Sequence, residues 1–389
     1  MIIKKIKLHN WKNFQNCEVD LVERCFIIGP NASGKSNFID ALRFLRDISK
    51  QAGGLQRAVE ERGGIKKIRC LAARKSTNVS LTVELGEPNE NKPKWSYHLD
   101  LQHTGGGIMK SQAKIVKEEV FSYEKQKYVC KRSAQNKDED EETLKYTYLE
   151  QVNANREFRE LQIFFQNIEY LNIIPQLVRE SSSALQTYTK EDYYGRNFLE
   201  KLARMNERIR NSYFKKINEF LKIAVPQLKE LKFIKDNMGV PHIEARYIHW
   251  RAKGSKQQED QFSDGTLRLI GFLFALIDSN GVILLEEPEI NLHSAIIAQF
   301  PEFIAKIQRS KKGAQQILIT THSYDILANT GISPDEVILL LNASEGTDVK
   351  KLTEINEILQ IVNSGLSIAD AVIPYTKPKN IENMSQLSL

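Results

Sequence analysis

The eight residues GPNASGKS, at 29–36, constrain this chain most. They follow the apolar run LVERCFIIG (21–29) and overlap KSNFIDALRFLRDI (35–48), where Phe38, Ile39, Leu42, Leu45 and Ile48 recur at three- and four-residue steps. That order reads as buried strand, glycine-rich turn and amphipathic helix. A G-x-x-x-x-G-K-[ST] turn between such elements wraps backbone N–H groups around phosphate. Gly29 and Gly34 let the loop, with Pro30, Asn31, Ala32 and Ser33 between them, close on the β-phosphate, and Asn37 follows in the helix. Lys35 is placed to reach the β- and γ-phosphate oxygens, and the Ser36 hydroxyl to ligate Mg²⁺. The cofactors expected on these residues are ATP and Mg²⁺.

Two later stretches fit that site. VILLEEPE (282–289) is a run of four apolar residues closed by two acids. It suits a buried strand ending beside the phosphate loop. Glu286 would hold the metal through water, and Glu287 would polarise the attacking water. TTHS (320–323) follows the strand-like QILIT, which puts His322 where a γ-phosphate sensor belongs.

QFSDGTLRLIGFLFALI (261–277) raises a different question. Its Ser263, Asp264, Gly265 and Thr266 open an apolar helix, and a helix start carries free N–H groups and partial positive charge. One chain already holding a phosphate cradle has no use for a second, unless it serves another copy's nucleotide. A two-fold sandwich supplies that use, the phosphate loop of one protomer and residues 263–266 of its partner closing on one ATP. An ordinary N-cap by Ser263 or Asp264 is compatible with this.

The rest of the chain frames these motifs. IIKKIKL (2–8) reads as an edge strand, and VSLTVEL (79–85), WSYHLDL (95–101) and EEVFSYEKQKYVCKR (118–132) as an antiparallel sheet with one wet face. A helix is expected over 155–167 and a strand over 168–174, stopped at Pro175. Residues 196–224 read as one long or two shorter helices, LKELKFIK (228–235) and HIEARYIHW (242–250) as strands, and 293–308 as a helix. EVILLL (336–341) closes an alternation of helix and strand typical of a parallel α/β core. The four cysteines (Cys17, Cys25, Cys70 and Cys130) form no metal spacing and read as reduced structural thiols, and the run 269–277 is too short to cross a bilayer. A cytoplasmic protein without membrane attachment is expected. The net charge of +6 permits a nucleic-acid contact without requiring one, through Lys66, Lys67, Arg69, Arg74, Lys75 and the basic helices 201–216.

In this order, phosphate loop, SDGT, EEPE and THS resemble the ABC-type ATPases of the RecF/SMC-like branch, closest to OLD-like and other short "AAA family" ATPases of bacterial anti-phage defence and DNA repair. The resemblance implies an α/β ABC-type P-loop ATPase head with an antiparallel β lobe, a parallel α/β core and a short helical insertion in place of a coiled coil. Its lobes would span 1–178 and 227–389, with the insertion at 179–226. NWKNF (10–14) is similar to the branch's start motif, which implies Lys12 near the phosphates; IEYLNIIPQ implies Gln176 as the Q-loop metal ligand. SDGT differs from the transporter signature LSGG, and Glu286 stands where Asp is usual, which implies slow turnover. About sixty-five residues follow His322, without the acidic pairs of a TOPRIM nuclease. The function this implies is an ATP-driven homodimeric switch controlling a separately encoded effector, such as a TOPRIM-like nuclease; the alternative is a DNA-binding ATPase of repair or chromosome maintenance.

Overall fold

The computed structural model describes residues 1–51, 54–74, 77–105, 112–180, 194–248, 255–311 and 313–377. Two six-stranded sheets and one three-stranded sheet carry the chain. The first sheet runs in the order β2-β1-β4-β5-β6-β7, built from β1 (Ile2–Trp11), β2 (Phe14–Asp20), β4 (Val79–Gly86), β5 (Trp95–Thr104), β6 (Gln112–Ser122) and β7 (Lys127–Ser133). All its pairings are antiparallel. β4 and β5 alternate buried and half-buried residues along most of their length, as a sheet with one wet face should.

The second sheet is the parallel core. It runs β15-β14-β3-β13-β12-β8, from β3 (Arg24–Ile28), β8 (Glu169–Leu171), β12 (Val282–Glu286), β13 (Gln316–Thr320), β14 (Val337–Ala343) and β15 (Gly346–Lys351). β3 and β13 are buried at every residue, because layers cover both faces. Alternate residues therefore enter two different cores. Cys25, Ile27, Val282 and Leu284 face the first sheet and the helix Lys35–Ile48, while Phe26, Ile28, Ile283 and Leu285 face the helix Asp264–Asp278 and the C-terminal helices. The third sheet, β11-β10-β9, comprises β9 (Leu228–Lys235), β10 (Pro241–Tyr247) and β11 (Ser255–Gln258). The helix Glu207–Ala224 packs on it, after a shorter helix at Phe198–Arg204.

Several local expectations change. β1 is internal, since β2 pairs along its outer side; the polar alternation of FQNCEVD hid that strand. The strand expected over 168–174 is limited to Glu169–Leu171, and Pro175 instead opens the helix Pro175–Glu180. The helix over 293–308 is two, Ser294–Ile297 and Phe300–Ser310, with Pro301 in the first turn of the second. Residues 249–250 of the expected strand 242–250 lie outside the described residues. The four cysteines are free and buried, and burial pushes the Cys17, Cys25 and Cys130 thiols up to about 12, so they stay protonated and inert. Among the described residues no helix is long and apolar enough to cross a membrane.

Candidate functional site

Strand order builds the site. β13 lies between β3 and β12, and in register Ile27, Thr320 and Glu286 stand side by side. The three strands end together, so the phosphate loop, the Thr-Thr-His segment and the acidic pair meet at one edge of the sheet, where open α/β sheets bind ligands.

The loop itself is braced from behind. Gly34 has φ +95°, and a Cβ there would run into the Asn13 amide. Asn13 Nδ2 donates to Ser33 O at 3.0 Å and to Thr347 Oγ1 at 2.6 Å, and its Oδ1 accepts from Asn37 Nδ2 at 2.7 Å. Thr347 Oγ1 donates to Ser33 O at 2.8 Å. The β1–β2 turn and the β14–β15 hairpin tip thus fix the loop's outer wall. Lys35 Nζ donates to the Gly29 and Pro30 carbonyls at 3.1 and 3.2 Å, spanning the mouth of the loop. Burial holds the Lys35 ammonium below the usual lysine range, while Glu287, Glu286 and Glu289 pull it back up.

Glu286 closes the metal side. One of its oxygens accepts from the Ser36 hydroxyl and the other from the Tyr170 hydroxyl on β8. The Arg43 guanidinium lies over the Tyr170 ring at 4.2 Å. Burial and the Glu286 carboxylate raise the Tyr170 phenol, which keeps it a donor. Two hard oxygens, from Ser36 and Glu286, at a phosphate cradle fit Mg²⁺, which takes few protein ligands and keeps water and phosphate oxygens. The ion would neutralise charge on the phosphates when bound.

Glu287 is the next residue, at φ +42°, a left-handed conformation unusual for a side chain with a Cβ. Its N–H donates to Thr320 O at 3.0 Å, and its carboxylate lies 3.3 Å from His322 Nε2. The hydrogen bond to His322 is the main reason that the Glu287 carboxyl sits below the usual carboxylate range; the Lys35 and Arg268 charges add to it. An ionised carboxylate held against an imidazole can accept a proton from water.

The helix Asp264–Asp278 starts as a well-made N-cap. Ser263 Oγ accepts from Thr266 N at 3.2 Å and meets Thr266 Oγ1 at 2.9 Å. Asp264 pairs with Arg179 at 2.6 Å, and Arg179 also donates to Phe262 O at 2.7 Å. Gly265 admits the carbonyl of Asn291, a residue at φ +65° in the turn after Glu287; a Cβ at 265 would stand under 3.0 Å from that oxygen. Among the described residues, none of Ser263–Thr266 forms a hydrogen bond with Gly29–Asn37.

Two sequence candidates stand elsewhere. Lys12 Nζ pairs with Asp40 at 2.6 Å, one turn along the phosphate-loop helix, in a cluster with Arg62. Gln176 is exposed in the first turn of the helix Pro175–Glu180, and the residue that meets Glu286 from this segment is Tyr170. Asn13, Tyr170, Thr347 and Glu289 hydrogen-bond to residues of this site, contacts that the motifs did not reveal.

A family model described as "AAA domain, putative AbiEii toxin, Type IV TA system" matches residues 25–328, and one for the P-loop containing region of AAA domain matches residues 3–46. No curated protein matches the chain. Among solved structures, an SMC head bound to the C-winged helix domain of ScpA has TM-score 0.54 and 14% identity, covering 91% of this chain and 99% of that one. An Smc head with an extended coiled coil, bound to the C-terminal domain of ScpA and derived from Pyrococcus furiosus, has TM-score 0.50 and 14% identity over 93% and 99%. An Smc head with a coiled coil and joint from Pyrococcus yayanosii has TM-score 0.50 and 12% identity over 93% and 99%. At these identities the likeness shows the fold: an α/β ATPase head.

Proposed function

The chain belongs to the AAA-domain P-loop ATPase family that its residues 25–328 match, and we propose that it works as an ATP-hydrolysing dimeric switch. The observation that supports this is that the chain carries two separate candidate half-sites. Gly29–Ser36, Glu286, Glu287 and His322 converge on one edge of the sheet, while Ser263–Thr266 presents a second anion-ready helix start that, among the described residues, forms no hydrogen bond with its own phosphate loop. Under this reading Lys35 and the loop N–H groups bind the triphosphate, and Ser36 and Glu286 hold Mg²⁺. Glu287 takes a proton from the attacking water, and His322 senses the γ-phosphate. Residues 263–266 of the partner close the pocket. ATP would favour the closed dimer and hydrolysis would release it. Moving such an equilibrium from 1:99 to 99:1 takes about 5.5 kcal/mol of differential binding.

We assign the switch to a cytoplasmic setting and a separately encoded effector, a TOPRIM-like nuclease being the partner that the sequence resemblance suggests. The family description names a toxin and a toxin–antitoxin system, which supports a defence role. A second reading, a DNA-contacting ATPase of repair, has one observation in its favour. A groove of about 850 Å³ between the helix Glu207–Ala224 and β9 is lined by Lys215, Lys222, Lys229, Lys232 and Arg246, against Glu219 and Glu230. Of the earlier candidates for DNA contact, Lys66 and Lys67 are exposed, Arg74 pairs with Glu345, and Lys75 lies outside the described residues. DNA binding that weakens steeply with salt would favour this reading.

The test is the Glu287→Gln protein with ATP and Mg²⁺, followed by light scattering and phosphate release. The proposal expects bound ATP, no turnover and accumulated dimer. A monomer at saturating ATP would refute it.

A further inference from the structure

The mechanism leaves one buried acid in the site unused. Glu289 is 8% exposed and sits two residues beyond Glu287. Its Oε1 accepts from Thr321 Oγ1 at 2.5 Å and from His322 N at 3.1 Å. Its Oε2 is shut off from solvent without a hydrogen-bond partner, and no ion pair reaches this carboxyl among the described residues. A buried carboxyl oxygen left bare is costly and asks for a reason.

The reason lies in what Oε1 ties together. Glu287 bonds through its backbone to Thr320, which accepts from its N–H at 3.0 Å. Glu289 bonds through its side chain to the next two residues, Thr321 and His322. The two links close a ring between the turn after β12 and the end of β13. Inside that ring Glu287 keeps its left-handed φ of +42°, and its carboxylate keeps His322 Nε2 at 3.3 Å. A backbone in that region persists only where its surroundings over-determine it. Thr321 is itself fixed, fully buried and donating its N–H to Ile27 O at 3.1 Å, next to the phosphate loop. The turn continues to Asn291, whose carbonyl abuts Gly265 at the start of the signature helix.

We propose that Glu289 is the positioning residue of the hydrolysis site: its buried carboxyl latches the Thr321–His322 backbone to the turn after β12 and so holds Glu287 and His322 in register for attack on the γ-phosphate. The latch rests on the reading of Glu287 as the base. Burial, with the Glu287 charge beside it, pushes the Glu289 carboxyl above the usual carboxylate range. The latch needs one acceptor oxygen facing Thr321 and His322, and an amide keeps that oxygen. Two glutamates separated by one proline therefore respond oppositely to the same substitution.

The experiment measures steady-state phosphate release and ATP affinity on the full chain for Glu289→Gln, Glu289→Ala, Thr321→Val and Glu287→Gln. Glu289→Gln keeps kcat within about threefold, whereas Glu289→Ala and Thr321→Val lose roughly ten- to a hundredfold in kcat with ATP affinity within about threefold. Thr321→Val removes the donor with little change of volume, so it decides the matter should Glu289→Ala fail to fold. Wild-type turnover by Thr321→Val, or a Glu289→Gln protein as inactive as Glu287→Gln, overturns the latch. Should Glu287→Gln itself turn over normally, the assignment of the base falls first.

Discussion

A methyl group at residue 265 is the smallest change that separates catalysis from nucleotide binding. Gly265 has no room for a Cβ, because the Asn291 carbonyl would stand under 3.0 Å from it, a distance that real Cβ atoms essentially never show. Both partners are backbone, so neither can swing away. Gly265→Ala must push the turn at 287–292 outward, and overpacking of this kind costs about 1–3 kcal/mol. That turn is stiff: Ile290 N donates to Glu287 O at 3.3 Å and Leu292 N to Glu289 O at 3.0 Å. A shift at Asn291 is therefore passed to Glu287. Misplacing a reacting group by roughly 1 Å costs on the order of a hundredfold, or about 2.7 kcal/mol on the barrier. The expected result is kcat down ten- to a hundredfold, ATP affinity of the monomer unchanged within about threefold, and a lowered unfolding temperature. Gly313→Ala serves as the control, since a Cβ there meets nothing within 4 Å, and it should change neither property. Wild-type kcat in Gly265→Ala would refute a rigid coupling between the start of the helix Asp264–Asp278 and the turn at 287–292.

Two further outcomes follow from the same structure. Tyr170→Phe removes the donor to Glu286 and should reduce kcat by roughly three- to thirtyfold while raising the Mg²⁺ concentration needed for half-maximal turnover; unchanged Mg²⁺ dependence would show that the phenol does not orient Glu286. Lys311 is held down at about 8 by burial, so between that pH and the usual lysine range the unfolded chain binds more protons than the native one. Its contribution to stability should therefore rise with pH across that window, read as a growing gap in urea midpoint between wild type and Lys311→Gln from pH 7.5 to 9.5. A constant gap would contradict the assignment.

The motifs that meet at this edge of the sheet were legible in the sequence because each is local. Gly29–Ser36, Glu286–Glu287 and Thr320–His322 are contiguous runs at the ends of strands, and strand periodicity predicted where those ends fall. The supports were not legible because they join distant segments. Asn13 and Thr347 are 334 residues apart, and Tyr170 and Glu286 are 116 apart. The resemblance of NWKNF to a start motif implied Lys12, yet it is its neighbour Asn13, a small amide with both donor and acceptor, that braces the loop. Glu289 was visible only as the tail of EEPE; its role depends on the register of β12 against β13. β15 escaped notice because an edge strand facing solvent has no apolar pattern to betray it. Pro175 is compatible with a helix start as well as a strand stop, so it did not mark where the strand ends at Leu171.

If each ATP is held between two copies of the chain, two variants broken in opposite half-sites must rescue one another when mixed. Lys35→Ala empties its own cradle but keeps residues 263–266; Ser263→Arg blocks the signature but keeps the cradle. Each protein alone should be inactive. Mixed in equal amounts, half the dimers are heterodimers with one intact composite site of two, so phosphate release should recover to about a quarter of wild type. Activity that stays at the level of the separate proteins would contradict the shared site.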